Sequence, residues 1–173
     1  MGFGLPAAIG AQMARPDKEV WVIAGDGGFQ MTMHDMATIV QERLPIRIAI
    51  SNNNYLGMVR QWQEFFYNKN YESTHLLNPD FVKLAEAYGI PAWRAANRRQ
   101  AREAIAAARA CDGPALVEFD IVKEGDEANV YPMVPAGAAL HEMIRRPAYV
   151  AADYKSLTSD QVEQVPVMDT VLA

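Results

Sequence analysis

Short apolar runs alternate along the chain with segments in which apolar residues recur at helical spacing. The first run, at 20–24, is continuously apolar and is closed by Gly25, which is typical of a strand buried on both faces of a parallel sheet. In the last run, Glu118 and Asp120 alternate with apolar residues, so we expect one face of that strand to be exposed to solvent. The predicted strands are 20–24, 46–51, 91–96 and 115–122, of which 91–96 has the weakest pattern.

The helical segments carry start and stop signals. Thr32 with Asp35 three residues later resembles a capping box, and apolar residues follow it at helical spacing. Asn78 and Pro79 predict an N-cap and a first helical residue, and Gly89 predicts the end of the same helix. Helices are predicted to begin near residues 4, 32, 57, 78 and 101. Strands that alternate with helices predict an α/β fold, here a three-layer sandwich with a mainly parallel sheet between helices.

Length and composition restrict the class of protein. The chain has 173 residues, of which 50% are hydrophobic and 21% are charged, as in an ordinary globular domain. We predict one domain over residues 1–146. After Pro147 the periodicity fails, so residues 147–173 are expected to form an extended or disordered tail. No apolar run approaches the roughly 20 residues that a membrane-spanning helix needs.

Charge and cysteine content exclude several kinds of partner and site. The formal net charge of −5 argues against non-specific binding to nucleic acid, which requires a basic surface. The single cysteine, Cys111, excludes an intrachain disulfide framework and a cysteine-rich zinc site. Residues 1–14 lack the basic start of a signal peptide. We therefore expect a cytoplasmic protein, with an organelle as the alternative if a targeting segment precedes this chain.

Two polar clusters directly follow the first two predicted strands. They are Gly-Asp-Gly-Gly at 25–28 and Asn-Asn-Asn at 52–54. Because the carboxyl ends of adjacent parallel strands meet at one edge of a sheet, both clusters are expected to reach the same ligand. The Asp26 carboxylate and the Asn53 amide oxygen suit Mg²⁺ bound to a phosphate, and the glycines let backbone N–H groups approach phosphate oxygens. Taken singly, both residues are also ordinary turn formers.

The spacing of the two clusters resembles that of a known family. Gly-Asp-Gly, a spacer of 24 residues (28–51) and then Asn-Asn resemble the diphosphate-binding motif of thiamine-diphosphate enzymes. Three further segments, 1–11, 57–67 and 131–137, are similar to acetolactate synthase (acetohydroxyacid synthase) large catalytic subunits. The resemblance covers residues 1–146 and corresponds to that family's C-terminal cofactor-binding domain, of the pyrophosphate-binding (PP) type.

The resemblance implies a set of ligands for the cofactor, thiamine diphosphate, and for Mg²⁺. Asp26, Asn53 and the backbone carbonyl of Tyr55 would hold Mg²⁺ on the cofactor diphosphate. Met58 would lie near the thiazolium ring, and Met58 and Trp62 would line the substrate channel. The implied cofactor-binding residues are Met1, Gly25, Asp26, Gly27, Gly28, Asn53, Tyr55, Leu56, Gly57 and Met58.

The activity implied by the resemblance is the joining of two 2-oxo acids with loss of CO2. Pyruvate would be joined to pyruvate or 2-oxobutyrate, in the biosynthesis of isoleucine and valine. The glutamate that activates the cofactor and a bound FAD are expected on N-terminal and middle domains that this chain lacks. No catalytic residue is therefore assigned here, and the chain is expected to be inactive alone. Expected partners are those domains, a second copy in a homodimer or higher oligomer, and a regulatory subunit.

Two alternatives remain open at the level of sequence. One is another thiamine-diphosphate enzyme, such as a glyoxylate carboligase, an oxo-acid decarboxylase or a pyruvate oxidase, although 57–63 and 131–137 favour the synthase. The other is a non-catalytic dimerisation or regulatory module of the same fold. Such a module need not bind Mg²⁺ or thiamine diphosphate, so cofactor binding discriminates between the two classes.

Overall fold

The computed structural model describes residues 1–121 of the chain, apart from the side chains of residues 64 and 65. The predictions for 131–137 and for the tail at 147–173 therefore lie outside the described residues. In the part of the chain that is described, no helix combines the length and the apolarity needed to cross a bilayer.

Within residues 1–121 the sheet has four strands, and all neighbouring strands are parallel. In chain order they are β1 (Trp21–Gly25), β2 (Arg47–Asn52), β3 (Ala92–Ala95) and β4 (Ala115–Asp120). Their order across the sheet is β1-β2-β4-β3, so β2 and β4 are central. Gly25 is in register with Ser51, and Asn52 with Asp120, so the carboxyl ends of these three strands lie side by side. The predicted parallel α/β sheet is confirmed, including the weakly patterned third strand.

The helices of residues 1–121 are α1 (Gly4–Ala14), α2 (Asp26–Gln30), α3 (Met36–Gln41), α4 (Gly57–Phe66), α5 (Phe81–Ala87) and α6 (Arg98–Arg109), with a 3-10 turn at Met33–Asp35.

These helices cover both faces of the sheet, which confirms the three layers. The core on one face contains large side chains from α1, α2, α3 and α5, and the rings of Phe29 and Phe81 meet edge to face at 5.7 Å. On the other face α6 packs on β3 and β4 through Ala101, Ala104 and Ala108, whose small side chains let the helix lie close to the sheet.

The predicted capping box at Thr32 is wrong. Thr32 precedes the 3-10 turn and its side chain caps no backbone N–H. Its hydroxyl instead donates a hydrogen bond to the backbone carbonyl of Gly2, at 3.2 Å. The first helix after β1 begins earlier, at Asp26, directly where the strand ends. In the Gly-Asp-Gly-Gly cluster, Gly25 therefore ends the strand, and the other three residues lie in the first turn of a helix and not in a free loop.

The predicted N-cap of α5 is also wrong by two residues. The N-cap is Asp80, whose carboxylate accepts hydrogen bonds from the backbone N–H groups of Val82 and Lys83 at 3.2 and 3.3 Å. Asn78 is not available for capping because its side chain is engaged in long-range hydrogen bonds described below. The predicted stop at Gly89 is confirmed, since this residue has φ +74°, a conformation that side chains other than glycine rarely adopt.

The two cores predict a sharp contrast between two isoleucines. Ile48, on the central strand β2, is fully buried, whereas Ile105 on α6 is 37% exposed. Ile48→Ala should lower the free energy of unfolding by about 2–5 kcal/mol, because the deleted atoms leave a cavity in a packed core. The matched Ile105→Ala variant should change it by about 1 kcal/mol or less. Urea unfolding of both variants measures the difference, and equal losses would contradict the assignment of the core.

Asp80 should make a contribution to stability that depends on pH. The backbone N–H of Lys83 and the Arg94 guanidinium lower the pKa of the Asp80 carboxyl below its ordinary value of 3.8. The ionised form therefore stabilises the fold above about pH 4, and this is lost as the pH falls through the lowered pKa. Asp80→Asn keeps a capping acceptor and loses the charge. In thermal unfolding, the parent should have the higher melting temperature at neutral pH, and the difference between the two proteins should shrink in acid. A difference that does not change with pH would contradict this account.

Candidate cofactor-binding site

A cavity of about 330 Å³ opens at the carboxyl end of β1. Three segments line it: 1–5, the stretch from Ile23 to Phe29, and 55–59. Nine of the ten residues predicted to bind the cofactor are among them, and Asn53 is the exception. The structure therefore brings residues from three distant parts of the sequence to one cavity, although none of residues 52–54 is among those that line it.

Gly27 allows the start of α2 to lie directly under the loop that follows β2. A β-carbon at this position would come within 2.6 Å of Leu56 Cδ2 and 3.0 Å of Leu76 Cδ1. Leu56 and Leu76 are held there because the loop pairs with the segment at 74–76. The Leu56 N–H donates to the Thr74 carbonyl, and the Leu76 N–H donates to the Asn54 carbonyl, both at 2.8 Å. A side chain at position 27 would thus have to displace the methyl groups of these leucines, so close approach favours glycine there.

Asp26 is the buried charged group of the cavity. Its side chain is only 2% exposed, and its Oδ2 accepts a hydrogen bond from Asn78 Nδ2 at 2.6 Å. Burial raises the pKa of the Asp26 carboxyl, and hydrogen bonds from Asn78 and from the backbone N–H groups of Gly27 and Asn54 partly offset this. Asp26 forms no ion pair within residues 1–121. A cation at this carboxylate would therefore offset an electrostatic cost that the described residues leave in place.

The asparagine cluster forms a tight turn after β2. Asn53 Oδ1 accepts from the Tyr55 N–H at 3.0 Å, and Asn52 Oδ1 accepts from the Asn54 N–H at 3.1 Å. Asn54 has φ +62°, a left-handed conformation that asparagine tolerates better than most residues. Its side-chain oxygen is buried and makes no hydrogen bond within the described residues. The backbone N–H of Asn54 also donates to Asp26, so the turn lies against this carboxylate.

These donors fit Mg²⁺ and a diphosphate. Residues 1–121 contain no cluster of three or more His, Cys, Asp or Glu side chains able to hold a metal ion. Mg²⁺, however, commonly takes only one or two carboxylates from protein and completes its shell with phosphate oxygens and water. Within residues 1–121, a buried carboxylate without a countercharge, an unpartnered amide oxygen in the adjoining turn and a glycine-lined wall are features that suit such a site.

Sequence reasoning missed the polar groups behind Asp26. Glu118, predicted on a solvent-exposed face, is only 3% exposed, so that expectation is wrong for this residue. It is accommodated because Arg94 on β3 donates to its Oε2 at 2.9 Å and Asn52 on β2 donates to its Oε1 at 2.7 Å. Asn78, predicted as an N-cap, donates to Asn52 Oδ1 at 2.8 Å as well as to Asp26.

Met58 and Trp62 lie at a second cavity of about 640 Å³, formed with Val59 and residues that follow on and after α4. Met58 and Val59 line both cavities, whereas Trp62 lines only the second. Both predicted channel residues are exposed, and the Trp62 ring meets Phe66 edge to face at 5.6 Å. The two cavities are therefore neighbours that share the first turn of α4.

Comparison with known proteins gives consistent similarities. Residues 1–119 match the model of the family described as thiamine pyrophosphate enzyme, C-terminal TPP binding domain. The chain is 44% identical over 172 residues to an acetolactate synthase of Mycobacterium avium, a match that covers 96% of this chain and 26% of that protein. It is 44% identical over 148 residues to the acetolactate synthase isozyme 2 large subunit of Escherichia coli, a match that covers 84% of this chain and 26% of that protein. This chain thus spans about a quarter of the length of these relatives.

Two further similarities agree with this placement. A mitochondrial acetolactate synthase of Schizosaccharomyces pombe is 47% identical over 144 residues, covering 83% of this chain and 21% of that protein. Among solved structures, a thiamine diphosphate-dependent 4-hydroxybenzoylformate decarboxylase of Rhodococcus jostii superposes with a TM-score of 0.68 at 32% identity. That match covers 73% of this chain and 24% of the other. The Mycobacterium avium match also reaches into residues 147–173, for which the sequence analysis identified no resemblance.

The burial of Asp26 predicts a stabilising substitution. Asp26→Asn removes a charge from a site where burial opposes ionisation and keeps a group of the same shape that accepts a hydrogen bond from Asn78. In buffer with a chelator at neutral pH, the variant should therefore unfold at a higher temperature than the parent. Thermal unfolding followed by circular dichroism measures this, with the exposed Asp17→Asn as the matched control. A lower melting temperature for Asp26→Asn alone would contradict the assigned cost of burial.

Proposed function

Because this chain belongs to the thiamine pyrophosphate enzymes, as their C-terminal TPP-binding domain, we propose that it is the cofactor-binding part of an acetolactate synthase. The observation that carries the proposal is the cavity at the carboxyl end of β1, where a glycine-lined wall meets a buried carboxylate. Relatives named acetolactate synthase, from bacteria and a fungus, are 44–47% identical over most of this chain, which supports this choice within the family.

In this proposal each wall of the cavity has a different task. Asp26 and the Tyr55 carbonyl, together with Asn53, which does not itself line the cavity, would hold Mg²⁺, and the backbone of Gly27 and Gly28 would contact the diphosphate oxygens. Apolar residues at the rim, Phe3 among them, exclude water from the organic part of the cofactor. Thiamine diphosphate, when bound, supplies the carbanion stabilisation that loss of CO2 from a 2-oxo acid requires. The chain itself contributes binding and orientation.

Substrates and partners follow from the same proposal. Two 2-oxo acids, pyruvate with pyruvate or 2-oxobutyrate, would enter past Met58 and Trp62, which line the second cavity. The activating glutamate and FAD would belong to the other domains of a protein about four times as long, since the chain spans about 26% of its bacterial relatives. Met1, Phe3 and Ile23 are 70–80% exposed around the cofactor cavity, as expected of a surface that other domains or a second copy cover.

A second candidate is a 2-oxo-acid decarboxylase that uses the same cofactor. The structural similarity to the decarboxylase of Rhodococcus jostii favours it, because a TM-score of 0.68 over 73% of this chain reflects a shared fold. Sequence identity is lower in that case, 32% against 44–47%, so the synthase is the better supported of the two.

Calorimetric titration of thiamine diphosphate into the purified chain tests the proposal. Binding should require Mg²⁺, and Asp26→Ala should weaken it by more than about 100-fold, beyond what loss of an outer partner of a metal costs. Asp17→Ala, which removes an exposed carboxylate that pairs with Arg15, should bind like the parent. The proposal would be overturned if the chain, folded by circular dichroism, bound no cofactor, or if Asp26→Ala bound it as tightly as the parent.

A further inference from the structure

The side chain of Asn78 has every hydrogen-bonding group in use. Its two amide hydrogens go to Asp26 Oδ2 at 2.6 Å and to Asn52 Oδ1 at 2.8 Å. Its own oxygen accepts from Gln30 Nε2 at 2.7 Å, at the end of α2. An amide with three partners of fixed type has one orientation that satisfies all of them. The donor end of Asn78 is thereby directed at Asp26.

The orientation of Asn78 is in turn determined from β4. An ionised Glu118 carboxylate can only accept hydrogen bonds, so Asn52 must present its NH₂ group to Glu118 Oε1, at 2.7 Å. The Asn52 oxygen then faces the other way and requires a donor, which is the NH₂ group of Asn78. Arg94 Nε donates to the second oxygen of Glu118 at 2.9 Å, so both oxygens of this side chain have a donor. Along the series Arg94, Glu118, Asn52 and Asn78, each group thus determines whether the next one presents a donor or an acceptor to it.

We propose that Asn78 is a positioning residue for Asp26: it holds the carboxylate in the one rotamer in which it binds the divalent cation that carries the diphosphate. The inference rests on the proposed function and extends it to a residue outside the cavity, since Asn78 does not line it. A ligand held in place before the metal arrives loses less conformational freedom on binding, so the cation binds more tightly. Asp26 alone, in the same cavity, would bind the cation more weakly.

A purely architectural role for Asn78 makes a different prediction. Asn78 lies two residues before Asp80, the N-cap of α5, and its bonds to Gln30 and Asn52 also tie this segment to the sheet edge. If that were its whole task, substitution would lower the melting temperature and leave the cation affinity of the folded chain unchanged. Cation affinity measured well below the melting temperature therefore separates the two roles.

The test uses Mn²⁺ in place of Mg²⁺, in the presence of saturating thiamine diphosphate, with free Mn²⁺ measured by electron paramagnetic resonance. The full 173-residue chain is compared with Asn78→Ala and with Asn78→Leu. Both variants remove the two donors, but leucine nearly preserves the volume, so an effect shared by both does not arise from a void. Each should lower the Mn²⁺ affinity by about tenfold or more, the range seen when outer partners of a metal ligand are removed.

The matched control is Asn97→Ala. Asn97 is the N-cap of α6, where its side chain accepts from the Gln100 N–H at 3.0 Å, on the far side of the sheet order from β1. This variant should lose stability and bind Mn²⁺ within about twofold of the parent, since a cap acts on its own helix. Parent-like Mn²⁺ affinity in both Asn78 variants would overturn the inference and leave the proposed function intact. Failure of the parent itself to bind Mn²⁺ with the cofactor would overturn both.

Discussion

A carboxylate buried at the carboxyl end of β1 is the constraint that the surrounding structure satisfies. Removing an ionised Asp26 from water is unfavourable, and the described residues answer with hydrogen bonds rather than with a countercharge. Those bonds come from the start of α2, the turn after β2 and the segment before α5. The glycines, the left-handed Asn54 and the paired loop at 74–76 all serve to bring these backbones close enough.

A second charged side chain, that of Glu118, is buried in the middle of the sheet. Glu118 is buried between Asn52 on one neighbouring strand and Arg94 on the other, so its charge is paired and both of its oxygens have donors. An unpaired charge at this position would be strongly destabilising, whereas a paired and hydrogen-bonded one is tolerated. The polar groups therefore form a continuous path from a half-exposed arginine to the wall of the cavity.

Local rules applied to the sequence predict the strands and the polar clusters that follow the first two of them, whereas the other residues of the cavity are implied only by the family resemblance. Buried parallel strands have short apolar runs, and the groups that follow such strands meet at one edge of the sheet. The role of Asn78 could not be foreseen, since its partner Asp26 is 52 residues away and asparagine before Pro79 is an equally good capping signal. Glu118 was beyond pattern reasoning for a similar reason. A charged residue that alternates with apolar ones along a strand is expected to be exposed, unless an oppositely charged side chain such as Arg94 lies on the neighbouring strand. The pattern of one strand does not show which strand will be its neighbour.

The order β1-β2-β4-β3 has a consequence for when the site forms during folding. β4 is the last strand in the chain and inserts between β2 and β3, so the bond from Asn52 to Glu118 closes a loop of 66 residues. Contacts of such long range are entropically costly and form late. Until β4 docks, the Asn52 amide lacks the Glu118 acceptor that sets its orientation, and Asn78 lacks the part of its orientation that comes through Asn52. Productive ligand binding thus reports completion of the whole sheet and not merely of its first half.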